Sequence, residues 1–353
     1  MPGKHDLACV IHLHSTHSDG TGTVAEIATA AAHSDVDVVL LTDHDSLAAR
    51  HEGEEGHYDA VLLLAGEEVS PPNQNHYLAF GIEHEIDHDG LAAAEICAAV
   101  EADGGFGFAA HPFSRGSDRF KRAGQGMPWR DLECDELTGI ELWSFVTDTA
   151  ESLRGLLDAA RFVARPERFV AHPPERNLAE WDRLCARRRV TGIGGLDAHQ
   201  FGIRVRGRVP LRAMSYRRSF RQLRTHVLAD EPLSGELGHD RRQVYDALRA
   251  GRCYIAMDSV APARGFEFWA EGPSGVVEMG AEAGFGEGEW TLRAALPDSA
   301  RLRLVCDGRE VWTGVGPRMQ RGVDRPGVYR LEAYRKSRGA ERTWILSNPV
   351  YLR

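Results

Sequence analysis

Short apolar runs and helical patterns alternate along the larger, N-terminal part of the chain. ACVIHLH is followed by VAEIATAAAHS, whose spacing predicts a helix. VDVVLLTDHD, AVLLLAGEE, HYLAFGI, FGFAAHPF, TGIELWS, RFVAHP and VTGIGGLDAH repeat the strand theme, with GLAAAEICAAVEAD and ESLRGLLDAARFVA as helices between them. Strands that are apolar throughout are those buried on both faces, so the pattern predicts a parallel sheet covered by helices. Seven or eight such strands favour an α/β fold closed, or nearly closed, into a βα barrel. Chemical groups in such barrels gather at the C-terminal strand ends. From about Asp258 the helical spacing stops. Short alternating runs (GFEFWAEG, EWTLRAALP, RLRLVCDG, VYRLEAYRK, TWILSNPVYLR), separated by Gly, Pro and Asp, predict a small antiparallel β-sandwich. The expected domains are therefore residues 1–257 and 258–353, with Phe266, Phe268, Trp269, Trp290 and Trp312 packed in the core of the second.

Composition narrows the functional classes. The chain has 353 residues, 42% hydrophobic and 27% charged, which suits a soluble globular protein with ample material for a core. No apolar run approaches the roughly 18–20 residues that cross a bilayer, and MPGKHDLACVIHLH lacks the long apolar stretch of a secretory signal. A cytoplasmic protein is expected. A net charge of -10 argues against long nucleic acid as a partner, because phosphate contacts need clustered cations. The basic run RLCARRRV reads as the solvated end of a helix. Six cysteines without C-x-x-C pairing fit reduced, buried thiols better than a disulfide framework or a zinc knuckle.

The strand ends carry the chemistry. His12 and His14 are two apart, so on a strand both point to one side and can grip one ion. Asp19 follows in the loop. TDHD places His44 at a strand end, flanked by Asp43 and Asp45, which could orient its ring. AGEEVS offers Glu67 and Glu68, HYLAFG offers His76, AHPF offers His111, TGIELWS offers Glu141, and GGLDAH offers Asp197 and His199. Imidazoles and carboxylates spread over so many strand ends suit two or three divalent ions bridged by carboxylate rather than one structural zinc.

In order and spacing, HLHSTHSDG, TDHD, GEEVS, HYLAFG, AHPF and GGLDAH resemble the motifs of the PHP family, the polymerase and histidinol phosphatase metallohydrolases. The resemblance implies a distorted βα barrel of seven strands that holds up to three manganese, zinc or iron ions and hydrolyses phosphoesters. It implies His12, His14, Asp19, His44, Glu68, His76, His111, Asp197 and His199 as ligands, with Glu68 bridging two ions and Glu67 an outward neighbour. NLAEWDRL, VYDALRAGRCYIAMD and SNPVYLR further resemble the branch that includes carbaryl hydrolase, which carries a β-rich C-terminal appendage. RFVAHPP adds His172, which matches no ligand position of the family and reads as structural.

The expected reaction is hydrolysis of a small phosphate ester or nucleotide-type substrate by metal-activated hydroxide. HPFSRGSDRFKR supplies Arg115, Arg119, Lys121 and Arg122 after His111, and HQFGIRVRGR supplies Arg204, Arg206 and Arg208 after His199. Arg115 and Arg204 are the leading candidates to contact phosphate, since guanidinium suits bidentate contacts. His17 could donate a proton to the leaving oxygen. The alternative is a carboxyl ester or carbamate hydrolase using the same ions, which would need an apolar pocket for which Phe113, Trp129, Trp143 and Phe145 are candidates. A degenerate, noncatalytic module is disfavoured, because every expected ligand is present. Oligomeric state is open.

Overall fold

The structure is a computed structural model that describes residues 3–117, 126–132, 134–169, 171–202, 205–210, 212–286 and 288–353. In chain order its strands and main helices are β1 (His5–Ile11), α1 (Val24–Ala32), β2 (Val38–His44), α2 (Ala48–His51), β3 (Gly56–Tyr58), β4 (Val61–Val69), β5 (Tyr77–Phe80), α3 (Ala93–Ala102), β6 (Phe106–Ala109), β7 (Gly139–Ser144), α4 (Phe145–Ser152), α5 (Leu156–Ala164), α6 (Glu175–Cys185), β8 (Thr191–Gly195), β9 (Phe201–Gly202), β10 (Arg212–Ala213), α7 (Tyr216–Ser219), β11 (Leu223–Ala229), α8 (Leu237–Arg249) and β12 (Cys253–Met257). Only strands follow: β13 (Glu267–Gly272), β14 (Gly275–Glu278), β15 (Glu282–Ala283), β16 (Trp290–Cys306), β17 (Arg309–Val323), β18 (Gly327–Ser337), β19 (Ala340–Ser347) and β20 (Val350–Leu352). Two compact units result. One comprises Ala8–Val170 and Gly194–Arg224; the other comprises Met1–Leu7, Ala171–Ile193 and Thr225–Arg353. Among the described residues no helix is long and apolar enough to cross a membrane.

The first unit is a mixed α/β structure. β1 pairs parallel with β2 and β2 with β4, while β4 to β5 and β5 to β6 are antiparallel and β6 to β7 is again parallel. An all-parallel sheet was the expectation, and β5 corrects it. Segment 70–76 between β4 and β5 is shorter than the dozen or so residues that a parallel crossover needs, so the chain must return antiparallel. Every residue of β4 is buried, as is all of β2 up to Asp43, in keeping with their unbroken apolar runs. Beyond β1 the chain continues beside the end of β8 through a parallel bridge between Leu13 and Ala198.

Helix α1 shows how local sequence anchors this frame. Thr23 accepts a hydrogen bond from the Glu26 N–H and Glu26 accepts one from the Thr23 N–H, a reciprocal cap that satisfies two otherwise orphaned donors. Val24, Ile27, Ala28 and Ala31 then fall on one buried face. The expected helix ESLRGLLDAARFVA is broken into α4 and α5 around Gly155. RFVAHP is not a strand among the described residues: Pro166–Arg168 form a single 3-10 turn, and His172 in the second unit lies 2.9 Å from the Thr343 hydroxyl. Proline on both sides of this stretch deprives it of backbone donors and favours turn geometry over a ladder.

The second unit is dominated by antiparallel pairing. β16 pairs with β13, β17 and β18, and β18 pairs in turn with β19 and β20. Phe266, Phe268, Trp290, Leu304 and Trp344 are buried in its core, against which Trp269 and Trp312 pack part-buried. Burial of each large apolar side chain contributes roughly 1.5–3 kcal/mol. Beside this core, the His226 ring stacks on Tyr254 (centroids 4.7 Å apart) and its two nitrogens lie 2.7 Å from Asp6 and 3.3 Å from Asp258. Burial pulls the His226 pKa down, but the two carboxylates outweigh it and raise it to about 9.

Candidate metal centre

Glu68, at the end of β4, is the hub of the first unit. Its Oε2 lies 3.2 Å from His12 Nε2, 3.3 Å from His14 Nε2 and 3.3 Å from His44 Nδ1; its Oε1 lies 2.9 Å from His76 Nδ1 and 3.3 Å from His111 Nε2. Five imidazoles thus converge on one buried carboxylate. Around it Asp197 Oδ1 stands 3.6 Å from His12, 3.5 Å from His14 and 3.6 Å from His199, and Asp19 stands 3.1 Å from His199 Nε2. Among the described residues, four sets of donor atoms around this hub lie close enough together to hold an ion: His14, Asp19, His44 and His199; His12, Glu68 and His111; His12, His14 and Asp197; and His44, Glu68 and His76. The structure therefore brings all nine of the sequence-nominated ligands together. Glu68, His12, His14 and His44 each belong to two sets, which is the arrangement that adjacent ions sharing ligands require.

The local backbone is shaped for this convergence. His12, His111 and Asp197 all have positive φ (63°, 30° and 51°), a left-handed conformation that non-glycine residues rarely adopt and that concentrates at functional sites. Gly195 lies where a Cβ would come within 1.9 Å of Glu141 Oε1 and 3.1 Å of the His12 Cβ. A Cβ on Gly20 would come within 2.1 Å of the His14 carbonyl oxygen. Asp43 ties the loop after β1 in place by accepting from the Ser15 N–H (2.7 Å), the Ser15 hydroxyl (2.7 Å) and the Ser18 hydroxyl (2.6 Å).

Supporting residues set the tautomers. Glu141 Oε1 is 2.9 Å from His12 Nδ1, while its Oε2 accepts from the His111 N–H at 2.7 Å. Burial would lower the His12 pKa, but Glu141, Glu68 and Asp197 outweigh it and raise it well above its ordinary value, so the ring carries protons on both nitrogens; Glu141 secures the one on Nδ1, which leaves Nε2, facing Glu68 and Asp197, as the nitrogen to be deprotonated for an ion. Ser70 donates its hydroxyl proton to the Glu68 carbonyl (2.6 Å) and so accepts from His44 Nδ1 (2.6 Å), leaving His44 Nε2 with a free lone pair. Orientation of His44 thus comes from Ser70; Asp45 instead accepts from the Ser70 N–H at 2.7 Å. Thr147 donates to Asp197 Oδ2 at 2.6 Å and leaves Oδ1 facing the imidazoles. Ser70 was legible within the GEEVS motif, whereas Thr147 stands on a helix that no ligand motif marks.

Electrostatics test whether these residues suit cations. Burial lowers the His14 pKa, the neighbouring His199 charge lowers it further, and it reaches about 4 despite Asp197 and Glu68. A neutral imidazole is the form that coordinates a metal. Its ring is stacked between those of His44 and His199, with centroids 4.3 and 4.1 Å away, and neither buried nitrogen has a hydrogen-bond partner. A buried imidazole left so is costly unless something else satisfies its lone pair. Burial pushes Glu68 up, yet His12 and His76 outweigh it and hold it well below the usual carboxylate range. Burial likewise lowers His199, but Asp19 and Asp197 raise it to about 9. Hard carboxylate and borderline imidazole donors in this mixture suit divalent metal ions.

His17 and Arg115 have partners other than the nine converging residues. His17 Nε2 is 2.7 Å from Glu54, in a group with Glu52. Arg115 is exposed, and its backbone N–H donates to Glu151 at 2.6 Å. Arg204 lies outside the described residues, as do Arg119, Lys121 and Arg122. Glu67, expected to point outward, is buried and accepts from the Ile86 N–H at 3.1 Å; burial raises its pKa to about 8. A cavity of about 330 Å³ opens beside the hub, lined by Asp19, His44, Glu68, His76, His111, Asp197 and His199 and also by the apolar Met127, Val146, Ala150 and Phe201. Among the four aromatic residues nominated for an apolar pocket, Phe113, Trp129, Trp143 and Phe145, none lines it.

No family model matches the chain, and no curated protein matches it. Several solved structures are similar, two of which show the range. One is a two-domain protein containing a predicted PHP-like metal-dependent phosphoesterase from Bacteroides vulgatus, 13% identical over 99% of this chain and 96% of that chain, with a TM-score of 0.47. The other is a "putative metal-dependent phosphoesterase" from Bifidobacterium adolescentis, 18% identical over 58% of this chain and 92% of that chain, with a TM-score of 0.35.

Proposed function

We propose that this chain is a metal-dependent phosphoesterase of the PHP type, acting on a small phosphate ester at a centre of two or three divalent ions. In this reading residues 1–257 form a distorted βα barrel and residues 258–353 a β-rich appendage. The observation that carries it is Glu68, buried with each of its oxygens facing a different set of imidazoles. Divalent ions held there would supply Lewis acidity, bringing a water's pKa toward neutrality and offsetting the charge on the phosphoryl oxygens. Glu68, held ionised, would bridge the ions. His12 and His111 would hold one ion with it, His44 and His76 another, and His14, Asp19, His44 and His199 a third, with Asp197 beside His12 and His14.

The protein's own groups prepare that chemistry. Glu141 and Ser70 engage the Nδ1 atoms of His12 and His44, so Nε2 is the nitrogen each ring would offer to an ion. Thr147 keeps Asp197 from turning away. Val146, Ala150 and Met127 form a dry wall on which the alcohol part of an ester can rest.

The test compares p-nitrophenyl phosphate, bis-p-nitrophenyl phosphate and p-nitrophenyl acetate on protein stripped of metal and reloaded with manganese or zinc. Metal-dependent turnover of a phosphate ester, lost in His14→Ala together with bound metal while circular dichroism shows a folded chain, is the expected result. Turnover of the acetate alone would overturn the phosphoesterase reading in favour of a carboxyl ester or carbamate hydrolase.

A further inference from the structure

Phe201 stands out on the wall of the cavity. Its side chain is 50% exposed, although a phenyl ring is among the least suitable groups to leave in water. One face is covered: the ring lies 5.7 Å from that of His199 and within 8° of parallel. Its backbone is anchored on both sides. The preceding Gln200 has a φ of 49°, its carbonyl accepts from the Thr21 hydroxyl, and the His199 carbonyl accepts from the Thr21 N–H at 3.0 Å. Phe201 itself pairs antiparallel with Ala213. A strained, well-anchored segment thus presents an aromatic ring to the cavity, with its inner face resting on one of the nine converging residues and apolar Met127, Val146 and Ala150 also on the wall.

We propose that Phe201 is a stacking platform for a planar ring carried by the substrate, so that the site selects phosphate esters of alcohols bearing an aromatic or heteroaromatic group over esters of aliphatic ones. The inference rests on the phosphoesterase reading and adds to it the class of the leaving group. Nonpolar walls alone would accept any hydrophobic group; a fixed, half-covered ring discriminates by flatness, because offset stacking needs a planar partner. Phe201 is here a specificity-determining residue.

Benzyl phosphate and cyclohexylmethyl phosphate provide the comparison, since both are esters of primary alcohols with the same carbon count and differ mainly in the flatness of the ring. The metal-loaded enzyme is expected to favour benzyl phosphate in kcat/KM by about three- to tenfold, the range that aromatic pairing contributes. Phe201→Leu, which keeps an apolar cover over His199, should bring that ratio near one, and Phe201→Tyr should restore it. Calorimetry of benzylphosphonate binding, with metal content checked in each variant, should show the same loss and rescue. Hydrolysis of both esters without a ring preference, or with a preference that Phe201→Leu leaves in place, would overturn the platform while leaving the phosphoesterase reading intact. Absence of phosphate ester turnover together with Phe201-dependent benzylphosphonate binding would sink the reaction but uphold the platform. Absence of both would overturn both.

Discussion

Replacing Glu141 by Gln tests the tautomer logic of the centre with almost no change of shape. In the native side chain Oε2 accepts from the His111 N–H at 2.7 Å and Oε1 accepts from His12 Nδ1 at 2.9 Å. Gln has one acceptor and one donor end. The backbone N–H of His111 cannot become an acceptor, so the amide oxygen must take the Oε2 position and the NH2 group must face His12. His12 then accepts at Nδ1 and carries its proton on Nε2, the nitrogen that lies 3.2 Å from Glu68 Oε2. That proton can still be donated to Glu68, so the metal-free fold should lose little. The lone pair needed for coordination is, however, on the wrong side. Loss of such an orienting partner typically lowers metal affinity by about 10- to 100-fold, or roughly 1.4–2.7 kcal/mol. Competition against a chromophoric chelator would measure the affinity, and urea unfolding of the stripped protein would measure the stability. Glu141→Ala is the contrast: it orphans both partners and should weaken both properties, by about 1–3 kcal/mol in stability. Unchanged metal affinity in a folded Glu141→Gln protein would refute the reasoning, as would a stability loss equal to that of Glu141→Ala.

Gly195→Ala should act through the same contact, because its new Cβ would meet Glu141 Oε1 at 1.9 Å and displace the carboxylate from His12; weakened metal binding in the chelator competition is expected, and native affinity would show the approach is not needed. Stability should also fall on the alkaline side. His226 has a folded-state pKa raised to about 9 over an ordinary value of 6.5, so its contribution is fully present below about pH 6.5 and is lost as pH rises through about 9. The urea midpoint of the native protein should drop across that window, and His226→Asn should flatten the profile; equal slopes would contradict the ion-pair assignment. Trp290→Ala removes a buried ring whose indole N–H donates to the Phe285 carbonyl at 2.7 Å, and should destabilise the β-rich unit by about 3–5 kcal/mol in chemical unfolding.

Much of the centre could be read from the chain because the residues that converge there follow local rules. His12 and His14 share a side by the two-residue period of a strand, and each remaining residue of the nine except Asp19 ends or flanks an apolar run that was recognisable as a strand, so that convergence followed once those runs lay side by side. Composition likewise foretold the fate of Phe266, Phe268 and Trp290, whose alternation marked them for burial. Direction was harder. HYLAFG reads equally well as a parallel or an antiparallel strand, and only the short segment 70–76, taken together with the pairing partner, makes β5 run backwards.

Partners remote in sequence were decided by tertiary structure alone. Glu141 meets His12 across 129 residues, Thr147 meets Asp197 across 50, and His226 is clamped between Asp6, 220 residues away, and Asp258. No spacing or period encodes such contacts, because they exist only when separate strands and helices are packed side by side. The same holds for the buried state of Glu67 and for the half-covered ring of Phe201: side-chain type determines what a residue can do, but its neighbours in space determine its charge, its tautomer and the face it offers to a ligand.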